Sequence, residues 1–422
     1  MKLNTYRSAI AALAIFTGPA LLLASPAAAA DLGGNCCADL EERIAELEAT
    51  TARKGNRKVS LTITGWVNEA VFFWDDGVER NAYIGTNSLE QSRFKLLGEA
   101  SITPGWSAGY TLELGINGAK SSAFSQTDTA NKDEAVVRKS SWFIKSKELG
   151  KVTVGLDGTA TYHLLDDADG ANTRNYSDAE AAAVALGAFT TLTDGVAGPK
   201  WTGLMGGFNN FTPGQSGRRN VVRYDSPTFA GFTATAAWGA DDMWDAALTY
   251  KNDIGDFKLT AKAGYGESTD NVANKGGCAN GTGDCQWWGA AGTVMHAPTG
   301  LYVYGGYGAT SIDLTVLQAV ANKDDQSNAW FVQAGIEQKF TALGKTTLFG
   351  EYRNDNVGLS AKADNADLNF WAAGIVQNID AAAMDMYIIY RNSEGDFTGP
   401  GATTKTNLDS FDMVITGARI QF

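Results

Sequence analysis

The chain has 422 residues, 44% hydrophobic and 10% aromatic content, 48 glycines, 8 prolines and a formal charge of −13. That hydrophobic content excludes a disordered chain, the acidity argues against nucleic acid as a partner, and the glycine and aromatic usage favours sheet over helix. With four cysteines and two histidines, no cofactor or metal is expected.

At the N-terminus, Lys2 and Arg7 precede an apolar run from Ala9 to Ala24, and Ala28, Ala29 and Ala30 form a small-residue cleavage site. The pattern is that of a secretory signal over 1–30. A membrane anchor is the alternative, but the run is broken by Gly18 and Pro19 and is shorter than the roughly 20 apolar residues a span needs. Cleavage there takes 30 residues from 422 to leave 392, and losing Lys2 and Arg7 moves the charge from −13 to −15.

The segment 31–58 forms a separate periplasmic unit in this reading. Leu40, Ile44, Leu47 and Thr51 recur at helical spacing, a seam of two heptads. So short a seam is either a coil between copies held together by something larger or a helix that packs as a plug. Adjacent Cys36 and Cys37 suit bonds between chains or a reduced surface pair, and the basic stretch 53–58 reads as a hinge.

From Val59 onward apolar and polar residues alternate in segments of about ten residues, the length a tilted membrane strand needs. Phe94, Leu96, Gly98, Ala100 and Ile102 oppose Arg93, Lys95, Glu99 and Ser101, and Phe257, Leu259, Ala261, Ala263 and Tyr265 oppose Lys258, Thr260, Lys262 and Gly264. Tight turns near 103–106, 148–151, 226–231, 253–256, 297–300, 341–345 and 380–383 alternate with longer polar connections near 75–89, 118–135, 157–217, 239–243, 267–285, 310–327, 354–366 and 393–409. Seven short and eight long connections join sixteen antiparallel strands over 59–422. Trp66, Phe73, Trp74, Trp142, Trp287, Trp288, Trp330 and Trp371 stand at strand ends, as in interfacial girdles. A β-sandwich also alternates, but one-sided loop lengths together with these aromatics favour an all-β transmembrane barrel.

A ring of sixteen strands is too wide for side chains to fill, so something must narrow it. The third long connection, 157–217, is the candidate, folded inward. Asp166, Asp167, Asp169, Asp178 and Glu180 cluster in it, and a capping box from Ser177 to Glu180 opens an alanine-rich helix through Leu186. Parity places Arg93, Lys95, Lys139, Arg219 and Arg223 on the facing wall. An acidic loop opposite a basic wall predicts a transverse field across a water-filled pore, the alternative being a solvated loop surface. Cys278 and Cys285 bracket a polar stretch and are expected to close a small disulfide loop, with free thiols as the alternative.

His163 and His296 lie far apart in sequence without a Gly-x-Ser-x-Gly elbow, so an enzyme is not expected. A substrate-specific channel with Trp201 and Phe208 as a sliding surface for sugars is the rival, and an adhesin a further one. The last strand places Val414, Thr416, Ala418, Ile420 and Phe422 on one face and Gly417, Arg419 and Gln421 on the other, and it must pair with the first to leave no open edge.

The stretches 36–61, 65–77 ("GWVNEAVFFWDDG") and 87–100 ("NSLEQSRFKLLGEA") resemble the start of the alphaproteobacterial outer-membrane porins. The resemblance implies a homotrimer of sixteen-stranded barrels in outer-membrane lipid and lipopolysaccharide, passing small hydrophilic solutes down their gradients. It also implies that terminal Phe422 is read by the barrel assembly machinery.

Overall fold

The computed structural model describes residues 58–422, apart from 130, 178–185, 206–211, 240–241, 270–283, 314–323, 359 and 361. The export signal, the heptad seam, Cys36, Cys37, Asp178, Glu180, Phe208 and Cys278 lie outside the described residues.

The two-residue rhythm becomes a ring of antiparallel strands. The first five are β1 (Thr62–Asp75), β2 (Arg93–Thr103), β3 (Trp106–Ala119), β4 (Asn131–Ser146) and β5 (Gly150–Gly158). After the third long loop come β6 (Arg218–Asp225), β7 (Phe232–Gly239), β8 (Met243–Ile254), β9 (Phe257–Ser268), β10 (Cys285–His296) and β11 (Leu301–Ile312). The ring continues through β12 (Gln326–Thr341), β13 (Gly344–Val357), β14 (Asn365–Ile379), β15 (Met384–Thr398) and β16 (Phe411–Gln421). The tight turns and long connections fall in the expected alternation.

The ring closes where β16 meets β1, in register from Trp66 opposite Gln421 to Asp75 opposite Asp412. Beyond β16, the Phe422 amide donates to the Gly65 carbonyl and the Gly65 amide donates to the Phe422 carbonyl, both at 3.0 Å. A side chain at Gly65 would meet the Arg93 carbonyl oxygen at 2.3 Å, so the seam needs glycine there.

One connection differs from its expectation. The first is no plain loop: it carries a strand, Arg80–Thr86, that pairs with the upper half of β1, while β2 pairs only with the lower half. The second wall position is thus a strand in two pieces. Between them, residues 87–92 have only Val67 and Asn68 of β1 opposite and bulge toward the lumen, held by Asn68 Nδ2 donating to the Glu90 carbonyl at 3.0 Å and by the Ser92 hydroxyl accepting from the Asn68 amide at 2.9 Å.

Outward, the barrel presents bare apolar side chains such as Ile63, Val67, Leu248, Val294, Val303 and Leu348. Water would penalise this surface and a bilayer core would not. Tryptophan and tyrosine alternate on successive strands from β8 to β15, with Trp244 against Tyr265, Trp288 against Tyr307, Trp330 against Tyr352 and Trp371 against Tyr390. Phe257, Leu301, Phe340 and Phe422 mark the other edge. On β12, Trp330 and Phe340 bracket a rise of roughly 25 Å at ordinary strand tilt, the height of a hydrocarbon band.

Phe73, Trp142, Trp288, Trp330 and Trp371 are exposed, as girdle residues should be. Trp66, Trp74 and Trp287 depart from the expectation: parity turns all three inward. Trp74 is buried against Tyr83 and Phe189, and buried Trp287 donates its indole N–H to Thr161.

The apolar core lies inside the ring, between the third loop (159–217) and the wall β10–β16, and reaches the upper half of β1 through Phe72 and Trp74. Tyr304, Phe331, Phe349, Phe370, Val376 and Ile389 point inward and are covered by loop residues including Leu165, Ala168, Tyr176, Phe189, Trp201 and Leu204. Half of the expected wet interior is therefore dry.

Candidate functional site: the constriction

The third loop is held down by side chains of the wall it covers. At its base, Asp245 of β8 accepts from the amides of Ala160 and Thr161 at 2.9 and 2.8 Å and from the Thr161 hydroxyl at 2.6 Å. Thr293 of β10 donates to the Ala168 carbonyl at 2.6 Å and accepts from the Gly170 amide at 3.1 Å. Tyr304 of β11 donates to the Leu165 carbonyl at 2.9 Å, and Glu351 of β13 accepts from the Ser177 hydroxyl at 2.7 Å. These bonds satisfy loop backbone that would otherwise be buried without partners.

What remains open is a polar cavity of about 430 Å³ between the loop and the arc that runs from β16 through β1 to β9. Four predicted wall cations line it: Arg93 and Lys95 from β2, Lys139 from β4 and Arg223 from β6. Arg219, four residues nearer the long-loop end of β6, is not among the lining residues. Lys262 of β9 and Arg419 of β16 join the wall, and Arg174 and His163 come from the loop.

The acidic half departs more from expectation. Of the three described loop carboxylates only Asp167 lines the cavity, bound by Arg174 at 2.9 Å and Lys262 at 3.3 Å. Asp166 is buried behind it, taken up by His163 at 2.5 Å and Arg174 at 3.0 Å. Asp169 turns away into the loop, where it accepts from the Thr173 hydroxyl at 2.6 Å and the Ala171 amide at 2.8 Å. The other lining carboxylates are Glu90, from the inward bulge, and Glu113 of β3. Glu90 pairs with Arg93 at 3.0 Å and with Arg174 at 3.4 Å, so it joins wall to loop.

Among the described lining residues, seven permanent cations therefore meet three carboxylates. The balancing acids sit behind: Asp157 holds Lys139 at 2.7 Å, Asp225 holds Arg223 at 2.7 Å and Asp385 holds Arg419 at 3.2 Å. Asp157 and Asp225 each position a cation while standing farther from the water than it does, whereas Arg419 and Asp385 are both buried. The expected transverse field survives only around Asp167, and the surface a solute meets is cationic.

Loop groups add to this. Burial pulls the His163 imidazole down, but the Asp166 carboxylate beside it more than reverses that and raises its pKa to about 9, so it carries charge at neutrality. Burial would raise the Tyr162 phenol, yet His163 and Arg218 bring it down to about 8. Burial pushes Asp169 up to about 7, its hydrogen bonds opposing, as suits a carboxyl away from the water.

Several of these residues were within reach of the sequence. Lys262 and Arg419 already lay on polar faces by parity. His163 and Arg174 gave no such signal, because loop residues have no period. Glu90 was hidden by the strand break, although Asn87, whose side chain caps the turn by accepting from the Leu89 amide at 3.1 Å, marks it. Cys285 opens β10 and is disulfide-bonded.

Solved structures with the same barrel include an anion-selective porin from Comamonas acidovorans, 18% identical, TM-score 0.58, matched over 86% of this chain and 100% of that one. A trimer form of in-vitro folded OmpT of Vibrio cholerae matches at 15% identity, TM-score 0.52, over 86% and 99%. OmpF of Salmonella typhi in complex with daunomycin matches at 13%, TM-score 0.52, over 86% and 98%. At such identities the likeness concerns the fold. No curated protein matches the sequence significantly. The Gram-negative porin family model matches residues 9–407, nearly the whole chain, and with a closed barrel, an inward loop and a polar constriction in place the chain belongs to that family.

Proposed function

We propose that this outer-membrane porin is a passive channel whose constriction favours small hydrophilic anions over cations. The observation that carries the reading is the excess of cations at the cavity, seven against three carboxylates among the described lining residues, with Asp157 and Asp225 set behind the cations they hold. A low-dielectric wall concentrates the field of the front layer on the solute path. The net charge of the chain, −13, has the opposite sign and does not predict the preference, because the nearest charges dominate a screened interaction. That one protein of similar structure is an anion-selective porin supports this direction.

Of the sliding surface for sugars, Trp201 gives no support, because this loop residue is buried against Phe370 of β14. Residues 1–30 serve as the export signal, 31–58 as a periplasmic segment, and the chain derives from the alphaproteobacterial branch of the family. Cys278 is the partner of Cys285, and Phe422 is the assembly mark. The functional unit is a homotrimer in lipopolysaccharide-containing membrane. Exposed Glu69 on the outward face of β1, four residues below girdle residue Phe73, suits contact with a second copy better than lipid, where a carboxylate is costly.

The test is the reversal potential of the purified protein in planar bilayers under a potassium chloride gradient. The expected sign is that of chloride preference, and joint replacement of Lys95, Lys139, Arg223 and Lys262 by glutamine is expected to cut the anion-to-cation permeability ratio about tenfold. A cation-selective wild type would refute the assignment.

A further inference from the structure

Trp66 has no place in the charge inventory, yet it sits at the centre of the basic wall. Its indole is inward on β1 and lines the cavity. Three cations surround its ring: the ammonium of Lys95 at 4.5 Å from the ring centre, the guanidinium of Arg93 at 4.6 Å and that of Arg419 at 5.5 Å. These come from two different strands, β2 and β16, that flank β1 on either side. Three like charges so close repel one another, and something must hold them together.

Carboxylates do part of this, Glu90 and Glu113 holding Arg93 at 3.0 Å, Glu113 reaching Lys95 at 3.7 Å and Asp385 holding Arg419 at 3.2 Å, but each offsets charge as it holds it. An aromatic face attracts cations through its quadrupole while carrying no net charge. We infer that Trp66 is a positioning residue for ion selectivity: beside those carboxylates, its ring draws Arg93, Lys95 and Arg419 together at the constriction without adding further negative charge. The inference rests on the anion preference proposed above and names the residue that sustains it. The indole N–H is occupied elsewhere, donating to the Gln91 carbonyl at 3.0 Å, and so ties β1 to the inward bulge. The two roles are separable, because phenylalanine keeps a ring face and lacks the N–H.

Reversal potentials of Trp66→Leu and Trp66→Phe channels, each checked for the heat-resistant mobility of the assembled wild type, test the idea. Trp66→Leu is expected to lower the anion-to-cation ratio about threefold, with Trp66→Phe retaining most of the wild-type value. If Trp66→Leu does not assemble, Trp66→Met, flexible and without a ring, is measured in its place. An unchanged ratio in the ringless variant would overturn the inference. So would an equal loss in Trp66→Phe, which would assign the effect to the Gln91 bond. A wild type without anion preference would instead sink the reading beneath it, leaving the two failures distinguishable.

Discussion

The two halves of the barrel interior obey different rules. The arc β10–β15 points tyrosine, phenylalanine, valine and isoleucine into the ring and buries them beneath the third loop. The arc from β16 through β1 to β9 points lysine and arginine toward the cavity, although the long-loop ends of β16 and β1 join the dry core through Phe411, Met413, Ile415, Phe72 and Trp74. Both have an apolar outer face, so alternation alone cannot distinguish them. An inward-facing position is dry where the loop covers it and lines the cavity where it does not.

The largest expected effect comes from removing the distinction. Asp245→Ala strips the loop base of its acceptor and leaves two buried amides and the Thr161 O–H donor without an acceptor, at about 1–3 kcal/mol each. The loop should loosen from the wall, raising single-channel conductance and lowering resistance to heat; a channel of wild-type conductance would show that the anchor is redundant. A smaller effect follows from pH. A histidine raised by its carboxylate partner keeps that pairing below its ordinary pKa and through neutrality, and loses it as pH rises through about 9. Tyr162 gains negative charge through about 8. Anion preference should therefore fall about twofold or more between pH 7 and 10, with most of the change absent from a His163→Gln, Tyr162→Phe double variant. The smallest effect separates acids within the loop. Asp167→Asn should raise anion preference by about a factor of two, whereas Asp169→Asn, whose carboxyl faces loop backbone, should leave reversal potential unchanged. Equal effects would mean that both carboxyls reach the water.

The fold was legible because membrane strands are regular. Parity, turn spacing and the alternation of short and long connections are local properties, and they sufficed to count sixteen strands and to seat Arg93, Lys95, Lys139 and Arg223 on the lumen. The site was legible only where strands build it. Asp166 and Asp169 look alike with Asp167 in sequence, yet one is consumed by His163 and another by Thr173. Which of three neighbouring carboxylates meets water is set by the conformation of the loop, which Thr293 and Tyr304 fix from strands far along the chain. Trp66, Trp74 and Trp287 misled for a related reason: an aromatic at a strand end fits an interface equally well from either side of the wall.

The contact between Glu90 and Arg174 has a bearing on size discrimination. Because the loop is fastened to the wall beneath it and also to the bulge it faces, the aperture is strung between two supports and does not hang from one. Such an opening yields little to a molecule pressing on it. Uncharged solutes of increasing bulk should pass freely and then stop abruptly, as at a rigid sieve, where a hinged flap would only slow them by degrees.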